Sequence, residues 1–319
     1  MTPGQFFGRL LQALLTLLAV SFLVYLLIGL MPGDPVDLMA AGNPHMTPED
    51  TARLRALYGL DQPLLTRYGR WLAAALSGDL GFSRLYNIPV LQVIGPRALN
   101  TCVLLGASLL LTVALALPLG VHAARFPGGP GDRTINFFCL AGISMPHFWL
   151  GLLLICLFAV TLGWLPAAAT LSQGSAWQQF KSLVMPVATL TVSGLAVYVR
   201  HLRAAMLEAL RADHIRTARA KGCAEARVVW GHAFRNALPP AVTIFMLDLG
   251  TLIGGAVTVE TIFGFPGMGK LMFDAVMGND YNLALTGFLM LNCFVLAANF
   301  AADAVYALLD PRVSYAVKK

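Results

Sequence analysis

Asp213-His-Ile-Arg-Thr-Ala-Arg-Ala-Lys-Gly222, followed after thirteen residues by Asn236-Ala-Leu-Pro239, is a compact basic segment between two apolar runs, residues 183–202 and 241–259. Eight Lys or Arg side chains fall within residues 200–235, and each would cost about 2.5–3.5 kcal/mol at the centre of a bilayer. The segment therefore lies outside the membrane while its flanks lie within it. Gly222 interrupts a helical pattern and can supply the left-handed residue that stops a helix. Ala226, Trp230 and Phe234 recur every four residues, which predicts a one-sided stripe on a short second helix. Pro239-Pro240 is placed to start the next membrane helix, because proline fits a first turn. The pattern predicts helix, break, short helix, break, helix: a projecting knob that a moving partner can grip.

The rest of the chain agrees with this reading. Of 319 residues, 57% are hydrophobic and 12% charged, against about 25% charged in soluble domains; mean hydropathy is +0.70. Six apolar runs are visible, residues 10–31, 101–124, 137–165, 183–202, 241–259 and 283–309. Each is near or above the roughly 20 residues that carry a helix across about 30 Å of hydrocarbon. Helices satisfy their own backbone in lipid, and the alternating short strands of a barrel are not visible. The fold class expected is an all-α integral membrane protein with six transmembrane helices.

The net charge of +6 follows topology and gives no nucleic-acid signal. Arg200, Arg203, Arg211, Arg216, Arg219, Lys221, Arg227 and Arg235 cluster in the fourth loop, and Arg9, Arg125, Arg133, Arg312, Lys318 and Lys319 flank runs on the same side. The short loops after the third and fifth runs hold only Lys181 and Lys270. Basic residues stay inside, which puts both termini and the second and fourth loops in the cytoplasm. The long first loop, with six basic and six acidic residues, faces outward.

This gives a first transmembrane helix (1–31) standing apart, an external segment (32–95), a five-helix core (96–310) containing the basic segment (204–238), and a cytoplasmic tail (311–319). Within the external segment, Thr47-Pro-Glu-Asp50 reads as an N-cap with proline in the first turn and acidic residues behind it, so a small folded cap is expected. The first run is too long for a signal-peptide core and is read as an uncleaved helix. Pro118 and Pro146 are expected to kink their helices. The five cysteines show no paired spacing, and the six histidines lack ligand spacing such as His-Glu-x-x-His, so no metal site is expected.

The basic segment resembles the coupling loop, or EAA loop, of ABC importer permeases. That family's pattern is Glu-Ala-Ala, three residues, then Gly, later closed by Leu-Pro. Here Arg216-Thr-Ala218 stands in place of Glu-Ala-Ala, Gly222 is kept, and Leu238-Pro239 closes after a longer spacing. The departure resembles the peptide/nickel branch, and so do Pro32-Gly-Asp-Pro35, Gly59-Leu-Asp-Gln-Pro63, Gly78-Asp-Leu-Gly81, Ser144-Met-Pro-His-Phe-Trp149, Pro266-Gly-Met-Gly269 and Asp310-Pro-Arg312. The chain is similar to the first of two permease subunits in dipeptide, oligopeptide and nickel importers of the bacterial inner membrane, with the type I permease fold.

The resemblance implies a second, homologous permease, two cytoplasmic ATPases that bind ATP and Mg, and a periplasmic substrate-binding protein as partners. No cofactor is implied for this chain, which has no Gly-x-x-x-x-Gly-Lys-Ser/Thr loop. ATPase coupling would run through Asp213, Arg216, Ala218, Arg219, Lys221, Gly222, Trp230, Phe234, Leu238 and Pro239. Arg219 and Lys221 would pair with acidic ATPase residues, and Trp230 and Phe234 would anchor hydrophobically. Asp248, a carboxylate within the fifth run, is a candidate either to meet a cationic substrate in the pathway or to hydrogen-bond a neighbouring helix. Glu260 and Phe265, beside the Gly264-Phe-Pro-Gly267 turn, are candidates for docking the binding protein, while local turn structure explains the glycines equally well. Asn299 and Asp303, one helical turn apart, read as a structural pair. A nickel or metal-chelate importer of the same architecture is the alternative. An ion-coupled secondary transporter would call for inverted repeats, and an intramembrane enzyme would need a nucleophile or metal constellation; neither is visible.

Overall fold

The computed structural model describes residues 3–30, 36, 40, 46–57, 61–169 and 175–309, with the side chains of 3–6, 240, 243–253 and 302–309 outside that description. In chain order the helices are α1 (Pro3–Gly29), α2 (Pro48–Leu57), α3 (Leu64–Leu76), α4 (Val90–Arg125), α5 (Pro130–Ser144) and α6 (His147–Leu154). A π-helical turn (Ile155–Thr161) extends α6; α7 (Ala176–Arg211) and α8 (Asp213–Ala220) follow. A second π-helical turn (Arg227–Ala233) leads into α9 (Phe234–Ile262), α10 (Met268–Met277) and α11 (Tyr281–Leu309). Among the described residues there is no strand, only an isolated bridge between Phe82 and Pro89. The chain forms two compact units, Met1–Leu99 with Leu271–Phe294 and Asn100–Lys270 with Val295–Lys319.

Among the described residues, four helical stretches are long and apolar enough to cross a membrane: Phe7–Gly29, Val90–Arg125, Ala176–Arg211 and Tyr281–Ala301. Counting the bent pair α5 and α6 as one span makes five. The fifth run of the sequence lies on α9, most of whose central side chains fall outside the description. At about 1.5 Å per residue, the 36-residue α4 and α7 reach about 54 Å, well beyond the hydrocarbon thickness.

The third run is not the kinked single helix that the sequence predicted. α5 ends at Ser144, Met145 turns extended (φ −89°, ψ 121°), Pro146 stands before α6, and the two helices meet at 104°. The cause is local: a residue preceding proline is pushed out of the α region by the proline ring, so the chain breaks rather than bends. Pro118 and Pro186, by contrast, sit inside continuous helices.

In the first unit, α1 does not stand apart. Phe22 and Tyr25 of α1 pack edge-on against Tyr68 of α3, Tyr68 stacks with Trp71, and the Tyr68 hydroxyl shares a 2.7 Å hydrogen bond with Ser21. α2 starts as its sequence predicts. The Thr47 hydroxyl accepts from the Asp50 N–H and the Asp50 carboxylate accepts from the Thr47 N–H, a reciprocal cap; the Thr47 hydroxyl also donates to Asp50 Oδ2 at 2.7 Å, and this bond, then the one from the Thr47 N–H, holds the Asp50 carboxyl below its ordinary value. Further on, Asp280 accepts from the Ser83 hydroxyl at 2.5 Å, the Leu85 N–H at 3.0 Å and the Leu283 N–H at 3.2 Å. One carboxylate thereby caps α11 and ties the segment after Gly81 to it.

The second unit is built on α7. Its start is a capping box in which Ser175 and Gln178 exchange backbone and side-chain bonds. Leu104, Met185, Leu190, Val259, Phe263 and Phe265 form one apolar cluster. A second, around Leu202 and Met206 of α7, seats the basic segment.

A candidate coupling site

α8 begins immediately after α7, with only Ala212 between them. Its short sequence puts apolar side chains on one side: Ile215 and Ala218 are buried against Leu202, Met206 and Ala209 of α7. Asp213, Arg216, Arg219, Lys221 and Gly222 are exposed on the other.

The helix stops as Gly222 predicts. Its φ is +75°, its N–H donates to Arg219 O at 2.9 Å, and the Cys223 N–H donates to Ala218 O at 3.2 Å. These two bonds are the Schellman pattern, which satisfies carbonyls left over at a helix end. Across the turn, the Arg219 guanidinium grips Glu225 through Nη2 at 2.7 Å and Nε at 3.2 Å. Those bonds hold the Glu225 carboxyl below its ordinary value. Arg219, expected to reach outward, is thus engaged within the turn. Asp213 and Arg216 form a looser 3.6 Å pair in solvent.

The second half departs from the expected short helix and break. The π-helical turn runs directly into α9, so Pro239 and Pro240 sit in the second turn and not at the start. The reason is the buried side: Val229, Ala233, Ala237 and Ala241 recur every four residues and all lie in the core cluster with Ile215. This unbroken seam of small residues carries the chain through both prolines. The Ala226–Trp230 stripe faces outward instead, with Trp230 49% exposed, and Phe234 half-buried beside it at 5.3 Å between ring centroids. Leu238 and Pro239 are half-buried. The two quoted ends of the motif meet, because the Asn236 amide donates to His214 Nε2 at 2.9 Å.

Glu260 and Phe265, expected as a docking surface, are both 0% exposed, so neither offers a side chain to a visiting protein. Glu260 accepts from the Thr101 hydroxyl at 2.6 Å and from the N–H groups of Gly269 (2.6 Å) and Lys270 (3.1 Å) at the start of α10. Thr101 in turn accepts from the Met268 N–H at 2.8 Å. The carboxylate is a buried helix cap.

One buried ion pair was not anticipated from the sequence. Asp132, 3% exposed, takes two 2.7 Å bonds from Arg203 on α7 and one of 2.8 Å from the Gly128 N–H. Its position just after Pro130 is the first-turn signal that could have revealed it. Asp248 lies on α9 and Asp303 on α11, but both side chains are outside the described residues, as is the segment 310–319. Among the described residues no group of three His, Cys, Asp or Glu side chains could hold a metal ion.

The described residues are helical throughout their regular elements, with several membrane-length helices and a basic knob packed on α7. The chain belongs to the family of binding-protein-dependent transport system inner membrane components, whose model matches residues 116–315. Residues 5–90 match the N-terminal model of such membrane components. It is 36% identical to the oligopeptide transport system permease protein AppB of Bacillus subtilis, over 96% of this chain and 98% of that one. It is 39% identical to the di/tripeptide transport system permease protein DppB of Pseudomonas aeruginosa, over 98% and 99%. Among solved structures it resembles the inward-facing MetNI methionine ABC transporter (TM-score 0.58, 20% identity, 69% of this chain and 97% of that one), a likeness of fold. The chain is a multi-pass membrane permease component and not an enzyme.

Proposed function

We propose that this chain is one of two permease subunits lining the pathway of an ATP-driven importer for di- or oligopeptides. It spans the inner membrane six times with both termini in the cytoplasm and residues 32–95 in the periplasm. A periplasmic binding protein delivers the peptide, a homologous second permease supplies the other wall, and two cytoplasmic ATPases, with their ATP and Mg, grip the segment 204–238. The observation that carries this reading is the seating of that segment. Ile215, Ala218, Val228, Val229 and Ala233 bury one side of the knob on α7, while Asp213, Arg216, Lys221 and Trp230 stay exposed. A push on the exposed side has no soft joint in which to dissipate, so it displaces the long α7. Arg219 serves by fixing the turn through Glu225, leaving Lys221 and Arg216 for the acidic side chains of the ATPase.

Peptide cargo is favoured over nickel because the relatives named above are peptide permeases. The test is uptake by cells expressing the whole operon, comparing labelled dipeptide with nickel, for the parent chain and for Arg216→Glu with Trp230→Ala. Dipeptide uptake is expected to disappear and ATPase subunits to stop co-purifying, with the permease still present in the membrane. Undiminished import in that double variant sinks the coupling role, and uptake of nickel alone sinks the peptide assignment.

A further inference from the structure

We propose that α3 lies in the membrane interface at the Gly29 end of α1, with one apolar side in the acyl region and its arginines among lipid phosphates. The sequence places Leu64–Leu76 in the external segment, expected to be a small folded cap; the structure gives it three distinct sides. Leu64, Tyr68 and Trp71 face α1: Leu64 Cδ1 stands 3.3 Å from where a Cβ on Gly29 would be, and Tyr68 reaches Ser21, Phe22 and Tyr25. At 100° per residue, Leu65, Gly69, Leu72 and Leu76 form the adjoining side, where Leu65 is 69% and Leu76 82% exposed. Thr66, Arg67 and Arg70 take the remainder.

Continuity and charge identify the occupant of the leucine side as lipid. α1 is itself long and apolar enough to cross a bilayer and exposes Leu23, Leu27 and Leu30 along the same outer portion that α3 covers. Ser21, which Tyr68 touches, lies eight residues inside Gly29; at about 1.5 Å per residue that is about 12 Å of helix. A helix attached at that depth stands beside hydrocarbon, not above it. Tyr25, Tyr68 and Trp71 have the chemistry of an interfacial aromatic belt, and an amphipathic helix with arginines opposite its leucines is suited to lying in that plane.

The test uses the assembled transporter reconstituted in phosphatidylethanolamine–phosphatidylglycerol bilayers. Spin labels are attached at single cysteines introduced from Leu64→Cys to Leu76→Cys, the five native cysteines being replaced, and collision with oxygen and with a water-soluble nickel chelate is measured. The oxygen-to-chelate ratio is expected to oscillate with a period of about 3.6 residues, with maxima at 65, 72 and 76 and minima at 66 and 70. Chelate access at 65 and 76 equal to that at 66 and 70 overturns the proposal, and so does exclusion of both probes there, which would mean a protein occupant. Should the cysteine-free chain fail to fold, a benzophenone amino acid at 65 or 76 in the native-cysteine chain serves instead. Lipid-mass photoadducts are expected, and protein-sized cross-links overturn the idea. Neither readout depends on transport, so both are separable from the importer assignment.

Discussion

Two glycine-punctuated turns, the one at Gly222 and the one running from Gly264 to Gly269, look alike as sequence and are opposite as structure. Around Gly222 a Cβ would meet nothing within 4 Å, and glycine is needed only for its φ of +75°. Around Gly269 a Cβ would stand 2.5 Å from the Val257 Cα, and glycine is needed for space. The charges follow the same division. Arg219 and Glu225 pair at the surface, whereas Glu260 is sealed beneath its turn and accepts from Thr101, Gly269 and Lys270. Glycine thus serves two different ends at a charged turn: at Gly222 the backbone conformation demands it, at Gly269 the packing does.

The largest effect is expected at the sealed turn. Glu260→Ala orphans the Thr101 hydroxyl and the Gly269 and Lys270 N–H groups, at about 1–3 kcal/mol for each buried group left unsatisfied. The purified subunit should lose thermal stability accordingly, and a melting midpoint unchanged from the parent would break the contrast drawn here. Gly269→Ala comes next, because its Cβ meets backbone that has no rotamer to change; overpacking of this kind costs about 1–3 kcal/mol or more.

Gly222→Ala is a milder change of a different kind. It forces an alanine into the left-handed region at about 1–2 kcal/mol, with open space around it. Gly222→Asn should recover most of that loss, since asparagine tolerates this conformation. No side chain should rescue position 269. Equal rescue by asparagine at both positions, read as melting midpoints, would show that the two turns do not differ in the way the geometry requires.

What the sequence made legible was whatever rests on a single residue's backbone preference or on bulk composition. The Thr47 cap, the stop at Gly222 and the existence of long apolar helices all belong here. What stayed hidden depended on which neighbour lies alongside. Ala226, Trp230 and Phe234 and the seam Val229, Ala233, Ala237 and Ala241 have the same four-residue period, and the sequence reading singled out the first but not the buried seam. The small residues are buried because they let α9 approach α7 and α8 closely, leaving Trp230 outside. Likewise Pro146 announced a disturbance but not a 104° turn. The aromatic contact of α1 with α3 joins residues too far apart in sequence for any local pattern to report.

The smallest effect separates the turns by pH. Hydrogen bonds from Arg219 depress the Glu225 carboxyl below its ordinary 4.5; burial opposes them, and the charges of Arg219 and Arg125 add smaller depressions. A depressed carboxylate contributes stability that is fully present above its unfolded value and is lost as pH falls through its folded value. The melting difference between the parent and Glu225→Gln should accordingly be constant from neutral pH down to about the ordinary carboxylate range, then shrink as the solution is made more acid. Both side chains are nearly half exposed, so salt should reduce the difference as well. A difference that instead grows on acidification, or that ignores salt, would mean that Glu225 acts through burial. The turn at Gly222 would then be sealed like the one over Glu260, rather than open at the surface.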